Sequence, residues 1–205
     1  MSKPNLLFAI DVSGTPFTKT IVSCVSFDMK NSPQFIKNFN YKFKSIKNKK
    51  GKDLTYNQLK EILEYLDDNK IRSCCAYFTK NDWDYSLSDI PKEKAYHVEK
   101  IFGIIYFMIL EKNAKPKYPN LVHLCEENFM DIKTVRNSCR KIANMRGFDF
   151  NFSISSAKYD EYIRISDLVA SGVRNINASD LDCYTYCNVM KKVRLTKEYI
   201  QKVFR

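Results

Sequence analysis

The stretch Leu6-Leu7-Phe8-Ala9-Ile10-Asp11-Val12-Ser13-Gly14 decides the fold, because an apolar run ends there in an acid followed by a turn signal. A second apolar run, from Thr20 to Phe27, follows shortly afterwards. Two apolar runs that are separated by a short turn predict an antiparallel hairpin. Asp11 is then expected at the mouth of this hairpin.

The residues after the hairpin show a two-residue alternation. Over 35–44, Phe39, Tyr41 and Phe43 alternate with polar residues, a pattern that is typical of a half-buried strand. The sequence therefore predicts three successive antiparallel strands at the start of the chain.

Beyond this triplet, segments with helical and strand-like patterns alternate. Helices are predicted over about 55–68, 91–110, 131–145, a segment around Asp167 and 179–193, strands over 71–79, 121–125 and 148–155, and a loop over 81–85. An antiparallel triplet followed by this alternation predicts an α/β fold with a mixed sheet flanked by helices. With 205 residues, the chain 1–205 fits a single domain that buries its own core.

The chain is strongly basic. It carries 34 Lys and Arg against 23 Asp and Glu, which gives a net charge of +11 at pH 7. Because a basic surface concentrates polyanions through long-range attraction, nucleic acid is the expected partner. A basic face that is merely solvated and an acidic protein partner are the alternatives.

Two segments carry the clearest clusters of positive charge. They are a loop over about 44–54, which is expected to be exposed, and a basic C-terminal helical segment over about 179–205. The candidate nucleic-acid-binding residues are Lys42, Lys44, Lys47, Lys49, Lys50, Lys52, Lys191, Lys192 and Arg194.

The cysteines and the apolar segments bear on location. Seven cysteines without a Cys-x-x-Cys pair favour a reducing compartment, so we expect a cytoplasmic protein. The N-terminus lacks the pattern of a signal peptide. The most apolar window, Ile101 to Leu110, is well short of the roughly 20 residues that a membrane-spanning helix needs. We therefore expect no membrane partner.

Three carboxylates far apart in sequence are the candidate catalytic residues. Asp11 ends a predicted strand, Glu126 or Glu127 follows a later strand, and Asp167 lies beside the apolar face of a late helix. If the strands are neighbours, these acids can converge on Mg²⁺ or Mn²⁺ and support cleavage of a phosphodiester. The alternatives are that Asp11 starts a turn and that Glu126 is a solvated strand end.

Several motifs together resemble the DUF3800 family, whose members have a ribonuclease-H-like fold and are regarded as metal-dependent nucleases or relatives of nucleases. Residues 8–14 are similar to the family's apolar run before Asp-Glu-Ser-Gly. Ser156 and residues 163–170 are similar to the family's serine and its apolar-Gln-apolar-Ala-Asp-apolar-apolar-Ala helix. Asn40-Tyr41-Lys42 looks like its Glu-x-Lys strand, and residues 121–127 look like the strand that brings another acid.

This resemblance implies roles for individual residues. Asp11 and Asp167 would be metal ligands, and Glu126 would be a third ligand or a water-positioning base, with Glu127 as its substitute. Lys42 would contact a phosphate.

The chain also departs from the family at three positions. Val12 and Asn40 stand where the family has glutamates, and Arg164 stands where it has a glutamine. With fewer carboxylates the site would hold metal more weakly or not at all, and Arg164 could form an ion pair with Asp167 in its place.

Three functions compete on this basis. The first is a metal-dependent nuclease that uses Asp11, Glu126 and Asp167. The second is a catalytically inactive, ribonuclease-H-like protein that binds nucleic acid or acts as a scaffold, which Val12 and Asn40 favour. The third is a protein-interaction module that recognises an acidic partner.

Overall fold

A six-stranded mixed sheet forms the centre of the fold. The computed structural model describes residues 6–126, 130–176 and 178–205. The strands are β1 (Leu6–Ser13), β2 (Thr20–Asp28), β3 (Arg72–Phe78), β4 (Pro119–Cys125), β5 (Asp149–Ser155) and β6 (Cys187–Lys191), and their order across the sheet is β5-β4-β1-β2-β3-β6. Strand β2 is antiparallel to β1 and β3, whereas the pairs β1–β4, β4–β5 and β3–β6 are parallel.

Helices cover both faces of this sheet. They are α1 (Ser32–Lys42), α2 (Tyr56–Asp68), α3 (Lys80–Ser86), α4 (Val98–Glu111), α5 (Ile132–Met145), α6 (Glu161–Asn175), α7 (Ala178–Leu181) and α8 (Lys197–Phe204), with short 3-10 turns at Lys44–Ile46, Gly51–Asp53 and Lys92–Lys94. The predicted α/β class, a mixed sheet flanked by helices, is confirmed. In the described ranges, no helix combines the length and the apolar character that crossing a bilayer requires.

The core is divided into two layers by the alternation of side chains along the strands. In β1, Phe8 and Ile10 point to the layer that contains α3, α4, α5 and α8, while Leu7 and Ala9 point to the layer that contains α1, α2 and α6. Because successive side chains of a strand point to opposite faces, Asp11 belongs to the layer of α6.

The predicted hairpin is confirmed. Strand β1 pairs over its whole length with residues 21–28 of β2, and Asp11 lies opposite Ser23. Gly14 begins the connection with a φ of +100°, and a Cβ atom there would lie 2.2 Å from the backbone oxygen of Lys19. Only glycine adopts such a conformation without strain, so Gly14 allows the turn that aligns the two strands.

The predicted strand over 35–44 is wrong, because most of this segment is helix α1. Phe35, Phe39 and Phe43 lie four residues apart and are buried, whereas Tyr41 is 82% exposed. The rings of Phe39 and Phe43 are 4.8 Å apart, which extends the apolar stripe of the helix past its end. The third strand of the antiparallel triplet is instead β3, so Asn40 and Lys42 lie on a helix.

Two further segments differ from their predicted structure. Residues 81–85 belong to α3 rather than a loop, and Thr79 caps this helix in a reciprocal pair of hydrogen bonds with Asp82. The helix predicted over 179–193 is wrong, because Cys187–Lys191 forms β6 and pairs with Ser73–Tyr77. The basic C-terminal segment is therefore part strand and part helix, with α8 at its end.

Candidate functional site

Asp11 is a buried carboxylate at the end of the first strand. It is 5% exposed, and its Oδ1 accepts a hydrogen bond of 2.8 Å from the backbone N–H of Val12. Its strand lies between antiparallel β2 and parallel β4. Because a buried carboxylate is costly unless it is hydrogen-bonded, this environment makes Asp11 a candidate functional residue.

A pair of serines docks helix α6 on this strand. Ser166 Oγ lies 2.7 Å from Ser23 Oγ and donates to the backbone oxygen of Ala9 at 3.0 Å, while Ser23 Oγ lies 2.8 Å from the backbone oxygen of Ser166. Both serines are fully buried. These contacts fix Ser166, the residue before Asp167, against Ala9, which lies two residues before Asp11. The strand and the helix that carry two of the predicted ligands are thus direct neighbours.

Asp167 joins helix α6 to the predicted lysine loop. Its Oδ2 accepts a hydrogen bond of 2.8 Å from the backbone N–H of Gly51. A Cβ atom on Gly51 would lie 2.2 Å from Ser171 Oγ and 3.1 Å from the backbone oxygen of Asp167. Only a glycine lets the loop approach the helix this closely.

The loop over 44–54 was predicted to be exposed, and the structure confirms this for its lysine side chains only. Lys44, Lys47, Lys49, Lys50 and Lys52 are exposed. The backbone is instead anchored, because Ile46, Gly51 and Leu54 are buried. The loop therefore presents its lysines from a docked position beside α6.

Glu126 lies directly after β4, the parallel neighbour of β1. Its side chain is exposed, and its backbone N–H donates to the backbone oxygen of Ser155 at 2.8 Å. Ile10 pairs with Leu124, so Asp11 and Glu126 lie near the same end of the parallel strands β1 and β4. Continued in this register, Cys125 falls beside Asp11 and Glu126 falls beside Val12. The substitute acid Glu127 lies outside the described residues.

The predicted metal site requires several side chains that converge on one ion. In the parts of the chain that the structure describes, no group of three or more His, Cys, Asp and Glu side chains is placed to hold one metal ion. The Mg²⁺ or Mn²⁺ site formed by Asp11, Glu126 and Asp167 therefore stays a prediction that rests on the sequence.

The structure adds a cavity of about 480 Å³ between the lysine loop and the start of α6. Its charged lining consists of Lys47, Lys49, Lys50, Lys158, Glu161, Arg164 and Asp167. Five cations and two carboxylates thus share one concave site. Sequence reasoning identified the loop lysines and Asp167 but missed Lys158 and Glu161, because nothing in the local pattern shows that residues near 50 and 160 meet.

Arg164 forms the buried wall of this cavity. It is 6% exposed, its Nε donates to Glu161 Oε2 at 2.7 Å, and its Nη2 donates to Asn40 Oδ1. The guanidinium also lies over the ring of Phe39, 5.5 Å from the ring centre. Its Nη1 is buried and has no hydrogen-bond partner among the described residues. Asn40 and Arg164, two of the departures from the DUF3800 pattern, are therefore in direct contact.

A histidine and an aspartate fix the start of α6. Asp160 Oδ1 accepts hydrogen bonds from the backbone N–H groups of Tyr162 and Ile163 at 2.9 and 3.2 Å, and Asp160 Oδ2 lies 2.6 Å from His123 Nδ1. Burial alone would raise the pKa of Asp160, but the hydrogen bond and charge of His123 and the two backbone N–H groups lower it. The sequence signal for this cap is an Asp-Glu pair directly before an apolar helix.

The remaining candidate cations lie outside the cavity. Lys42 pairs with Glu61 at 3.5 Å, and Lys191 pairs with Asp182 at 3.7 Å. Arg194 makes two hydrogen bonds to Asp89, at 2.9 and 3.3 Å. These pairs reduce the net charge that the three side chains offer to a phosphate, whereas Lys192 is exposed.

Comparisons with known proteins give no family for the chain. No model of a protein family matches it, and no curated protein matches it either.

Proposed function

We propose that this protein binds the phosphates of nucleic acid in the cavity between the lysine loop and α6. The observation that carries the proposal is the lining of this cavity, in which five cations converge against two carboxylates. Lysine and arginine bind phosphates by charge and by hydrogen bonds, and neutralising phosphates releases counterions. The net charge of +11 adds a long-range attraction for the same partner.

The fold is part of the proposal. We place it in the ribonuclease-H-like class because the antiparallel strands β1, β2 and β3 are followed by β4 and β5, which are parallel to β1. We also propose a cytoplasmic, reducing location, because all seven cysteines are free thiols.

The test is the salt dependence of binding to short single-stranded and double-stranded RNA and DNA. Wild-type protein is compared with the double variant Lys47→Ala/Lys49→Ala and with a control of equal charge, Lys115→Ala/Lys133→Ala, whose residues are exposed and do not line the cavity. We expect the cavity variant alone to weaken binding, and its slope of log K against log salt to fall by roughly 0.7–0.9 for each lost contact. Equal weakening in both variants would place the interface elsewhere, and absence of binding would favour the acidic protein partner.

Metal-dependent cleavage of the bound phosphodiester is a second candidate. It is favoured by the burial of Asp11 at the end of β1, the parallel neighbour of the strand that Glu126 follows. Among the described residues these acids do not converge on one point, so cleavage would require Asp11, Glu126 and Asp167 to move together. Mg²⁺ or Mn²⁺ held by them would then supply the charge that activates a water and stabilises the leaving oxygen. The experiment is cleavage of RNA and DNA with each metal by wild type, Asp11→Asn and Asp167→Asn. Cleavage that is lost in both variants supports a nuclease. Binding without cleavage supports a catalytically inactive nucleic-acid-binding or scaffold protein.

A further inference from the structure

Arg164 is the only one of the five cationic residues lining the cavity that is almost fully buried. A guanidinium has five N–H donors in a fixed plane and stays charged at every physiological pH. In Arg164, Glu161 accepts from Nε and Asn40 accepts from Nη2. Nη1 has no acceptor among the described residues. The side chain is thus held in place by two partners while part of its donor capacity is unused.

Because Arg164 lines the cavity, an anion that enters there is the candidate acceptor for Nη1, an atom that is covered by its neighbours and has to be uncovered when the anion binds. Leaving a buried charged donor unpaired is costly, and the cost is recovered when an anion accepts the hydrogen bond. The acceptor at Nη2 is a neutral amide, so Glu161 supplies the only negative charge among the hydrogen-bond partners that the described residues provide for Arg164. A phosphate oxygen suits this position because guanidinium and phosphate match in charge and in planar geometry.

The position of Arg164 distinguishes between two kinds of phosphate. An internal phosphodiester has chain on both sides, so both flanking nucleotides would have to enter the cavity for its oxygens to approach a residue that is 6% exposed. A terminal phosphate is attached on one side only. It also carries about −1.5 to −2 charge at pH 7, which compensates better for the repulsion from Glu161 and Asp167.

We propose that Arg164 anchors the terminal phosphate of a nucleic acid strand, while Lys47, Lys49 and Lys158 at the rim of the cavity contact the adjoining backbone. This inference rests on the proposed nucleic-acid-binding function and names the feature of the strand that the site selects.

The experiment measures the affinity of wild-type protein for one single-stranded oligonucleotide prepared with a 5′-phosphate, with a 3′-phosphate, or with hydroxyl groups at both ends. All titrations use the same salt concentration. We expect at least one phosphorylated form to bind about tenfold tighter than the hydroxyl form, since a charge-assisted hydrogen bond is gained. Inorganic phosphate should compete with this preference and leave the affinity of the hydroxyl form unchanged.

Two arginine variants test whether the preference for a terminal phosphate depends on Arg164. Arg164→Met should remove it, whereas Arg136→Met should retain it, because Arg136 also has a buried nitrogen without a partner among the described residues but does not line the cavity. Circular dichroism confirms that each variant is folded. If Arg164→Met does not fold, the wild-type comparison still decides whether a terminal phosphate is preferred, and Arg164→Lys, which keeps the charge but loses the planar fork, tests the assignment to Arg164 by a reduced preference.

The outcomes separate this inference from the proposed function. Equal affinity for all three oligonucleotides overturns the terminal-phosphate anchor and leaves nucleic-acid binding intact. Absence of binding to any of them overturns both. A preference that persists in folded Arg164→Met overturns the assignment to Arg164.

Discussion

The guanidinium of Arg164 donates a hydrogen bond to the side-chain oxygen of Asn40 and thereby joins α6 to α1. The two residues are 124 positions apart in sequence. The amide oxygen accepts from the arginine, so the two side chains share one hydrogen bond between the helices. A substitution of either residue should therefore leave the other without this hydrogen-bond partner.

The first prediction concerns this contact. Asn40→Ala removes the acceptor of Nη2 and leaves a second nitrogen of a buried guanidinium unpaired, so we expect the free energy of unfolding to fall by about 1–3 kcal/mol. Asn40→Asp should retain the acceptor and add a negative charge beside Arg164. Urea unfolding of both variants measures the difference, and equal destabilisation by alanine and aspartate would show that the hydrogen bond contributes nothing.

The second prediction concerns the docking of α6 on the sheet. Ser166→Ala removes a hydroxyl that bonds to both Ser23 and Ala9 inside a fully buried layer. We expect a loss of about 1–2 kcal/mol, because the buried acceptor on Ala9 loses its side-chain donor. The exposed Ser45 provides the control, and Ser45→Ala should change the free energy of unfolding by less than about 0.5 kcal/mol. Similar values for the two variants would contradict this role of Ser166.

The first strand and α1 show how far the sequence alone could predict the fold. The hairpin follows from two apolar runs around Gly14, and the structure reproduces it. Helix α1 was missed because its aromatic residues satisfy two periods at once. Phe39, Tyr41 and Phe43 alternate as in a strand, while Phe35, Phe39 and Phe43 repeat every four residues as in a helix. Pro33 in the first turn was the available signal for the helix.

Long-range contacts explain the remaining differences. Strand β6 forms because Cys187–Lys191 pairs with β3, more than 100 residues earlier, and no local pattern encodes that pairing. The candidate site depends on contacts of the same kind. The sequence identified the lysines of the loop, but the hydrogen bond from Gly51 to Asp167 and the contact of Arg164 with Asn40 required the folded chain.

The third prediction concerns Gly51. A methyl group at this position collides with Ser171, so Gly51→Ala should displace the loop from α6, lower the free energy of unfolding and weaken nucleic-acid binding. Removing the Ser171 side chain as well, in Gly51→Ala/Ser171→Gly, should restore part of the affinity, because the methyl group then lies closest to the backbone oxygen of Asp167, at 3.1 Å. Glycine inside a helix costs about 1 kcal/mol of stability. Binding and urea unfolding are measured for both variants. The proposal that loop docking forms the binding site is wrong if Gly51→Ala binds with the affinity of wild type.

The fourth prediction concerns pH. The pKa of Asp160 is lower in the folded protein than in the unfolded chain, so its ionised form contributes stability that is complete above the unfolded value of about 3.9. This contribution is lost as the pH falls through the folded value. Asp160→Asn keeps a good helix cap but removes the charge beside His123, whereas Asp160→Ala also removes the cap and should cost about 1 kcal/mol more.

Urea unfolding of wild type and Asp160→Asn at several pH values tests this dependence. The stability difference between the two proteins should be largest at neutral pH and should shrink below the unfolded pKa, because wild type then gains the proton that neutralises its carboxylate. A difference that is constant from neutral to acid pH would show that Asp160 acts on α6 as a cap alone. His123→Gln should reduce the pH dependence without abolishing it, because the lowered pKa of Asp160 depends both on His123 and on the two capping hydrogen bonds, which this variant keeps.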